Sequence, residues 1–149
     1  MSLEIYTDRI GESGREIIRQ AYKDATSLNH HLLAPDHVLK AYASIERPKF
    51  DELMKRLNLE GHVVLQALSA KLDEGYPAAE AMKISDTFRA MLTNALKHSR
   101  ENGRARIEAI DLLAGLFADA GNFPASMFER LGVDHQTVIK QIRDLDTGP

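Results

Sequence analysis

The chain repeats itself. Residues 10–68 lie over residues 84–142 at a constant offset of 74, without a gap. Ile10, Arg15, Ala21, Lys23, Leu39, Arg56, Leu57 and Val64 meet identical partners at Ile84, Arg89, Ala95, Lys97, Leu113, Arg130, Leu131 and Val138. Those are 8 identities in 59 positions, and the apolar pattern agrees further: Ile17 with Met91, Ile18 with Leu92, Leu33 with Ile107, Met54 with Phe128, Leu68 with Ile142. A duplicated unit at such a period is the signature of a repeat architecture and restricts the fold before any single motif does. A chain of 149 residues normally forms one domain and buries roughly 70% of its unfolded surface. The two copies are therefore expected to share one core within a single domain, 1–149. Repeat one is expected over about 10–73, a linker over about 74–83 and repeat two over about 84–144.

The apolar spacing is helical in every segment. Ile17, Ile18, Ala21, Ala25 and Leu28 recur at three- and four-residue steps, which predicts a helix over about 12–28. Asn29 suits the left-handed residue that follows a helix. Pro35 suits the first position of a second helix, with Asp36 in its first turn, where a negative charge meets the helix dipole favourably. Pro48 is expected to open a third helix, and Gly75 to stop a fourth that begins near Gly61. Ser85 is expected to cap a fifth helix that ends at Gly103. A sixth is expected over about 109–118, a seventh from Pro124 to Gly132, and an eighth capped by Asp134. No segment alternates apolar and polar long enough to predict a strand. The expected fold is all-α, eight helices in two related sets of four.

Composition excludes several classes of function. The net charge is −3 and the pI about 6.1, without the basic face of a nucleic-acid binder. The densest basic stretch, Lys97-His98-Ser99-Arg100 with Arg104 and Arg106, is broken by Glu101 and Glu108 and reads as a solvated helix end. There is no cysteine, so disulfides and thiolate chemistry are excluded. The N-terminus lacks the apolar stretch of a signal peptide, and no apolar run approaches the ~20 residues of a membrane span. A cytoplasmic protein without nucleic-acid or membrane partners is expected. No Gly-x-x-x-x-Gly-Lys-Ser/Thr segment cradles a phosphate; Gly11-Glu-Ser-Gly-Arg-Glu has two glycines but no lysine.

Read in order, the motifs are Ile10-Gly-Glu, Ala21-Tyr-Lys-Asp-Ala-Thr-Ser-Leu-Asn-His and Ala34-Pro-Asp-His-Val-Leu, and then Ile84-Ser-Asp, Ala95 to Glu101-Asn-Gly, Glu108-Ala-Ile-Asp-Leu-Leu-Ala-Gly-Leu and Leu131-Gly-Val-Asp. In this doubled order, over about residues 8–144, the chain resembles the Clp N-terminal domain, the double Clp repeat at the front of Clp-type AAA+ unfoldases. The resemblance implies two four-helix Clp repeats related by an approximate two-fold. It also implies a role in capturing substrate or adaptor proteins for an ATP-driven ring. In some members an acid at the start of the short helix, once per repeat, helps hold phosphorylated arginine. The matching positions here are Asp36 and Ile110, and Ile110 can neither accept a hydrogen bond nor pair with a guanidinium. The family's hydroxyl after the opening apolar residue is kept as Ser85 in repeat two and replaced by Gly11 in repeat one.

The reading is a non-catalytic protein-binding module with Asp36, Ser85, Glu108 and Ile110 as candidate partner-binding positions. It needs no cofactor, no metal and no catalytic residue. Its expected partners are protein substrates or adaptors and Clp-type AAA+ ATPase modules, joined in cis or in trans. A freestanding Clp-repeat protein acting as a modulator or scaffold is the alternative. A small metal-dependent hydrolase using His30, His31 and Asp36 is a third class. His30, His31 and His37 lie close in sequence, but a metal needs three or four converging ligands; the bland alternative is one imidazole bonded to a loop carbonyl. An Asp36–His37 couple is disfavoured because neighbours on a helix point about 100° apart. Phe88, Tyr76 and Phe123 are possible exposed anchors, with plain packing as the alternative for each.

Overall fold

A computed structural model describes residues 8–76 and 82–147 of the chain. Among them run eight α-helices: α1 (Glu12–Ser27), α2 (Pro35–Ile45), α3 (Arg47–Arg56), α4 (Gly61–Glu74), α5 (Asp86–Glu101), α6 (Ala109–Phe117), α7 (Phe123–Arg130) and α8 (His135–Thr147). The offset of 74 relates them element by element. It carries both ends of α1 onto α5, the start of α2 onto α6, the end of α3 onto α7 and the start of α4 onto α8. Half of the expected linker, residues 77–81, lies outside the described residues.

Helix ends are duplicated with the helices. Asn29 and Gly103, at equivalent positions, both take positive φ (62° and 74°), and so do Asn58 and Gly132 (56° and 90°). The residue after each then donates its N–H to the carbonyl five residues back: His30 to Ala25 and Arg104 to Ser99 at 2.8 Å, Leu59 to Met54 and Val133 to Phe128 at 2.9 Å. These bonds satisfy carbonyls that the helix end leaves orphaned. At the starts, Ser85 accepts from the Phe88 N–H at 3.0 Å, Asn122 from Ala125 at 2.9 Å and Asp134 from Thr137 at 3.0 Å. Two starts fall one residue before the expected proline, at Arg47 and Phe123, with the proline in the first turn.

The expectation of no strand is corrected in one respect. Residues Leu32–Leu33 (β1) and Lys83–Ile84 (β2) form a two-residue parallel pair, Leu33 opposite Ile84, and Ile10 makes an isolated parallel bridge with Ile107. Two residues are too few to show alternation in a sequence. The offset of 74 carries Leu33 onto Ile107 and Ile10 onto Ile84, so the two pairings are copies of each other with the repeats exchanged. Ser85 N–H donates to the Leu33 carbonyl at 2.9 Å, and Gly11 N–H to Ile107 at 2.8 Å. Reciprocity of this kind is what a two-fold between the repeats produces.

The core runs through both repeats. Ile17, Leu39, Phe50, Leu53, Val64 and Leu68 are closed off in repeat one, and Met91, Leu92, Leu112, Phe128, Val138 and Ile142 in repeat two. Helices of eight to sixteen residues are marginal alone. Here α2 packs on α6 and α7, and α3 on α8, across the two-fold. Phe88 belongs to this core and is fully buried. No helix among the described residues is long and apolar enough to cross a membrane.

Helices α5 and α6 make the most extensive contact among the described helices, and their backbones approach closely at Gly115. A Cβ there would overlap the Met91 carbonyl and the Ala95 amide, both backbone and unable to swing aside. Gly115→Ala is expected to lower unfolding free energy by about 1–3 kcal/mol. Leu39→Ala or Leu113→Ala should lower it by about 2–5 kcal/mol. Urea unfolding followed by circular dichroism measures both. An unshifted midpoint for Gly115→Ala would contradict the close approach of α5 and α6.

Candidate functional site

The strand pairs set helix starts side by side. Because Leu33 lies beside Ile84, α2 and α5 begin together, which brings Asp36 and Ser85 to one junction. The Ile10–Ile107 bridge does the same for α1 and α6 and places Glu108 and Ile110 at the other. The four sequence-predicted positions thus fall in two pairs, one per junction.

Each junction is braced by one device with different chemistry. In repeat one, the Ala34 N–H at the mouth of α2 donates to Nδ1 of His37 at 3.1 Å. That leaves the His37 proton on Nε2, which lies 2.9 Å from Nδ1 of His30 in the loop after α1. In repeat two, the equivalent Glu108 N–H donates to Oδ2 of Asp111 at 2.9 Å, and the loop residue reaching Asp111 is Arg104. The offset of 74 relates His37 to Asp111 and His30 to Arg104. The His pair is buried, with His37 neutral, whereas the Arg–Asp pair is ionic and extended. Arg104 donates Nε and Nη2 to Asp111 at 3.1 and 2.6 Å, and Nη1 and Nη2 to Asp146 of α8 at 3.0 and 2.7 Å. His98 donates its Nδ1 proton to Asp111 at 2.7 Å. Burial alone would raise the Asp111 carboxyl, but the bonds from His98 and Arg104 outweigh it and hold that carboxyl below the usual range.

The three-histidine reading does not assemble. His30 and His37 bond each other, and His31 contributes its backbone carbonyl, which accepts from Lys83 N–H at 3.0 Å. Among the described residues the grouping with metal-ligand spacing is His98, Asp111 and Asp146. Arg104 Nη2, within 2.7 Å of both carboxylates, stands in the position a cation would take. This cluster escaped the sequence reading because its members spread from 98 to 146. The one available signal was the offset that equates Asp111 with His37.

Asp36 and His37 hydrogen-bond different partners, Tyr76 for Asp36 and Ala34 and His30 for His37. Asp36 is only 3% exposed and accepts the hydroxyl proton of Tyr76, which follows α4. Burial pushes its carboxyl up; the Tyr76 bond and the positive charge of Lys71 pull it back part of the way. Ser85 is engaged as the α5 cap. Glu108 caps α1 across the two-fold. It accepts from the Ser13 N–H at 3.1 Å and the Ser13 hydroxyl at 2.7 Å, while Ser13 Oγ accepts from Ala109 N–H at 2.8 Å. This explains Gly11: any side chain there would collide with the Glu108 carboxylate. The hydroxyl that repeat two keeps at Ser85 is replaced in repeat one by a carboxylate from the other repeat. Ile110 lies half-buried against the edge of the core.

Burial, then the charge of His30, depress His37 to a pKa of about 4, below its ordinary 6.5. Between these values the folded chain binds fewer protons at His37 than the unfolded chain. Its contribution to stability is complete above pH 6.5 and falls as pH drops towards 4. Asp36, raised by burial, contributes with the opposite sign. Comparison with His37→Asn, which keeps an acceptor for Ala34 N–H but takes no proton, isolates the histidine. Denaturant midpoints from pH 7 to 4 should fall less steeply in the variant, and equal slopes would contradict a neutral, buried His37.

Residues 9–119 match the family described as the Clp repeat (R) N-terminal domain. No curated protein matches the chain. Among solved structures it is similar to the Hsp104 N-terminal domain from Candida albicans, with 19% identity, a TM-score of 0.80, and coverage of 95% of this chain and 93% of that one. It is also similar to the N-terminal domain of the ClpV1 ATPase from Escherichia coli (16% identity, TM-score 0.72, covering 89% and 83%). The N-terminal domain of the chaperone ClpD from Arabidopsis thaliana follows the same path (18% identity, TM-score 0.59, covering 95% and 96%). At these identities the likeness establishes the fold. With that fold in place and the family pattern running over 9–119, the chain belongs to the Clp repeat N-terminal domain family.

Proposed function

We propose that this chain is a non-catalytic protein-binding module. It receives substrate or adaptor proteins for a Clp-type AAA+ ATPase in the cytoplasm, joined to the motor in cis or docking in trans. The two repeats, about 10–73 and 84–144, act as one recognition unit. The observation that carries this reading is the junction of α2 and α5. Half-buried apolar side chains, Tyr76, Met82, Ile84 and Phe123, collect there at the edge of the core, beside Asp36 and Lys71. Apolar anchors with a few placed polar groups are what an extended peptide needs. The buried polar side chains support the same reading. The two histidines of repeat one and the Arg104 cluster of repeat two are spent on bracing helix junctions, which suits a scaffold for recognition.

Each candidate position has a part in this reading. Ile110 offers apolar surface at the second junction, and Ser85 and Glu108 hold the helix starts that frame both. Asp36 meets a partner only after Tyr76 leaves it.

The test is fluorescence anisotropy of labelled casein, an unstructured protein, titrated with the full chain. Binding should saturate. Ile110→Asp should weaken it about tenfold, a change of ~1.4 kcal/mol, with the helical circular dichroism unchanged. Failure to bind both casein and a purified Clp-type ring would end this reading.

A further inference from the structure

At the mouth of α2 the Ala34 N–H donates to Nδ1 of His37 at 3.1 Å, and both residues are buried. Leu33, one residue earlier, belongs to β1, and its carbonyl accepts the Ser85 N–H at 2.9 Å. The bond to His37 therefore pins the same stretch of backbone that pairs with repeat two. Neutral His37 makes this bond by keeping Nδ1 unprotonated. An imidazolium has no acceptor, since both of its ring nitrogens carry protons. Its Nδ1–H would face the Ala34 N–H, donor against donor, and leave a buried backbone amide without a partner. A proton on His37 is thus incompatible with the closed first turn of α2.

The groups around His37 do little to accommodate that proton. His30, in the loop after α1, and Lys40 of α2 oppose a positive charge there, and Asp24 of α1 attracts one. Tyr76, after α4, sets its ring centroid 5.5 Å from that of His37 and commits its hydroxyl to Asp36. Asp36 can itself take a proton without harm to the junction, because a carboxyl still has an oxygen to accept from Tyr76. Repeat two lacks the conflict. In place of His37 it has Asp111, whose carboxylate accepts the Glu108 N–H at 2.9 Å. Burial would raise that carboxyl, but the bonds from His98 and Arg104 hold it below the usual range, so it stays ionised in mild acid. The offset of 74 relates Ser85 to Gly11, so the Ser85–Leu33 and Gly11–Ile107 bonds are one bond made twice.

We propose that the bond between His37 and Ala34 is an acid-sensitive clasp: a proton on His37 opens the start of α2 and releases β1 from β2, while the Ile10–Ile107 bridge stays closed. Lost stability alone does not require this, since the opening is local and confined to one of two copies. Opening gains as pH falls below 6.5, the ordinary value of a freed imidazole, and the gain is complete below about 4, the value to which burial and then His30 depress His37 in the closed state. Half-buried Tyr76, Met82 and Ile84 stand at the same junction, so the clasp changes the apolar surface offered there. The clasp is a property of the fold and holds whether or not that junction receives a polypeptide.

Amide hydrogen exchange followed by NMR on the full chain reads both copies of the bond in one sample. After correction for the intrinsic pH dependence of exchange, protection of the Ser85 N–H should fall roughly tenfold or more between about pH 7 and about pH 4.5, while that of the Gly11 N–H holds. His37→Asn keeps an acceptor for Ala34 N–H but takes no proton, and should hold both amides. Loss of protection at Ser85 and Gly11 together would mean that the whole fold opens, and the proposal falls. It falls equally if Ser85 stays protected in acid, or if His37→Asn loses Ser85 protection as the unaltered chain does. Should His37→Asn fail to fold, the two amides of the unaltered chain still decide.

Discussion

Two short backbone pairings hold this molecule in its shape, Leu33 with Ile84 and Ile10 with Ile107. Each takes one segment from each repeat, so neither repeat can make even one of them alone. Parallel segments need a long connection between them, and here the connections are the helices themselves. The N–H of Ser85 and of Gly11 would otherwise face the interior without a partner, which costs free energy comparable to a lost hydrogen bond. Pairing them across the two-fold fixes how the halves meet. It also fixes where α1, α2, α5 and α6 begin, and therefore where every candidate site residue stands.

Around this constraint the two repeats have diverged in chemistry while keeping their geometry. Both close the loop between a long and a short helix with a side chain three residues into the short helix. In repeat one that side chain is His37, neutral and bonded to His30, so its burial takes no charge out of water. In repeat two it is Asp111, whose burial as a carboxylate demands compensation. It receives that from His98, Arg104 and the Glu108 amide, and Arg104 in turn recruits Asp146 from α8. A buried charge is retained only when its bonds are nearly complete. The ionic repeat therefore needed four residues where the neutral one needed two. The same divergence left Asp36, Tyr76, Phe123 and Lys71 at a single junction, so a symmetric scaffold presents an asymmetric surface.

Much of the fold was readable along the chain because its determinants are local. The stops at Asn29, Gly75, Gly103 and Gly132 and the caps at Ser85 and Asp134 depend on backbone preferences within a few residues, and all lie where expected. The apolar periods found the core, and Phe88, a candidate anchor in the sequence, joins it by packing. The site was less legible. Asp36 reads as a carboxylate at a helix start, and it is one, yet its burial under Tyr76 joins positions 40 residues apart that no period links. Glu108 reads as the mouth of α6, and its use as the cap of α1 spans 95 residues.

The sequence alone determined a doubled helical unit, its helix boundaries, its apolar faces and the Clp family pattern, since hydrophobic spacing and capping are written in neighbouring residues. Only the tertiary structure decided which polar side chains face one another. Strand exchange across the two-fold, the Arg104 cluster and the aromatic faces around Lys71 arise from the packing angle of one repeat on the other. That angle is the sum of many small contacts, among them the close approach at Gly115, and no single stretch of the chain encodes it.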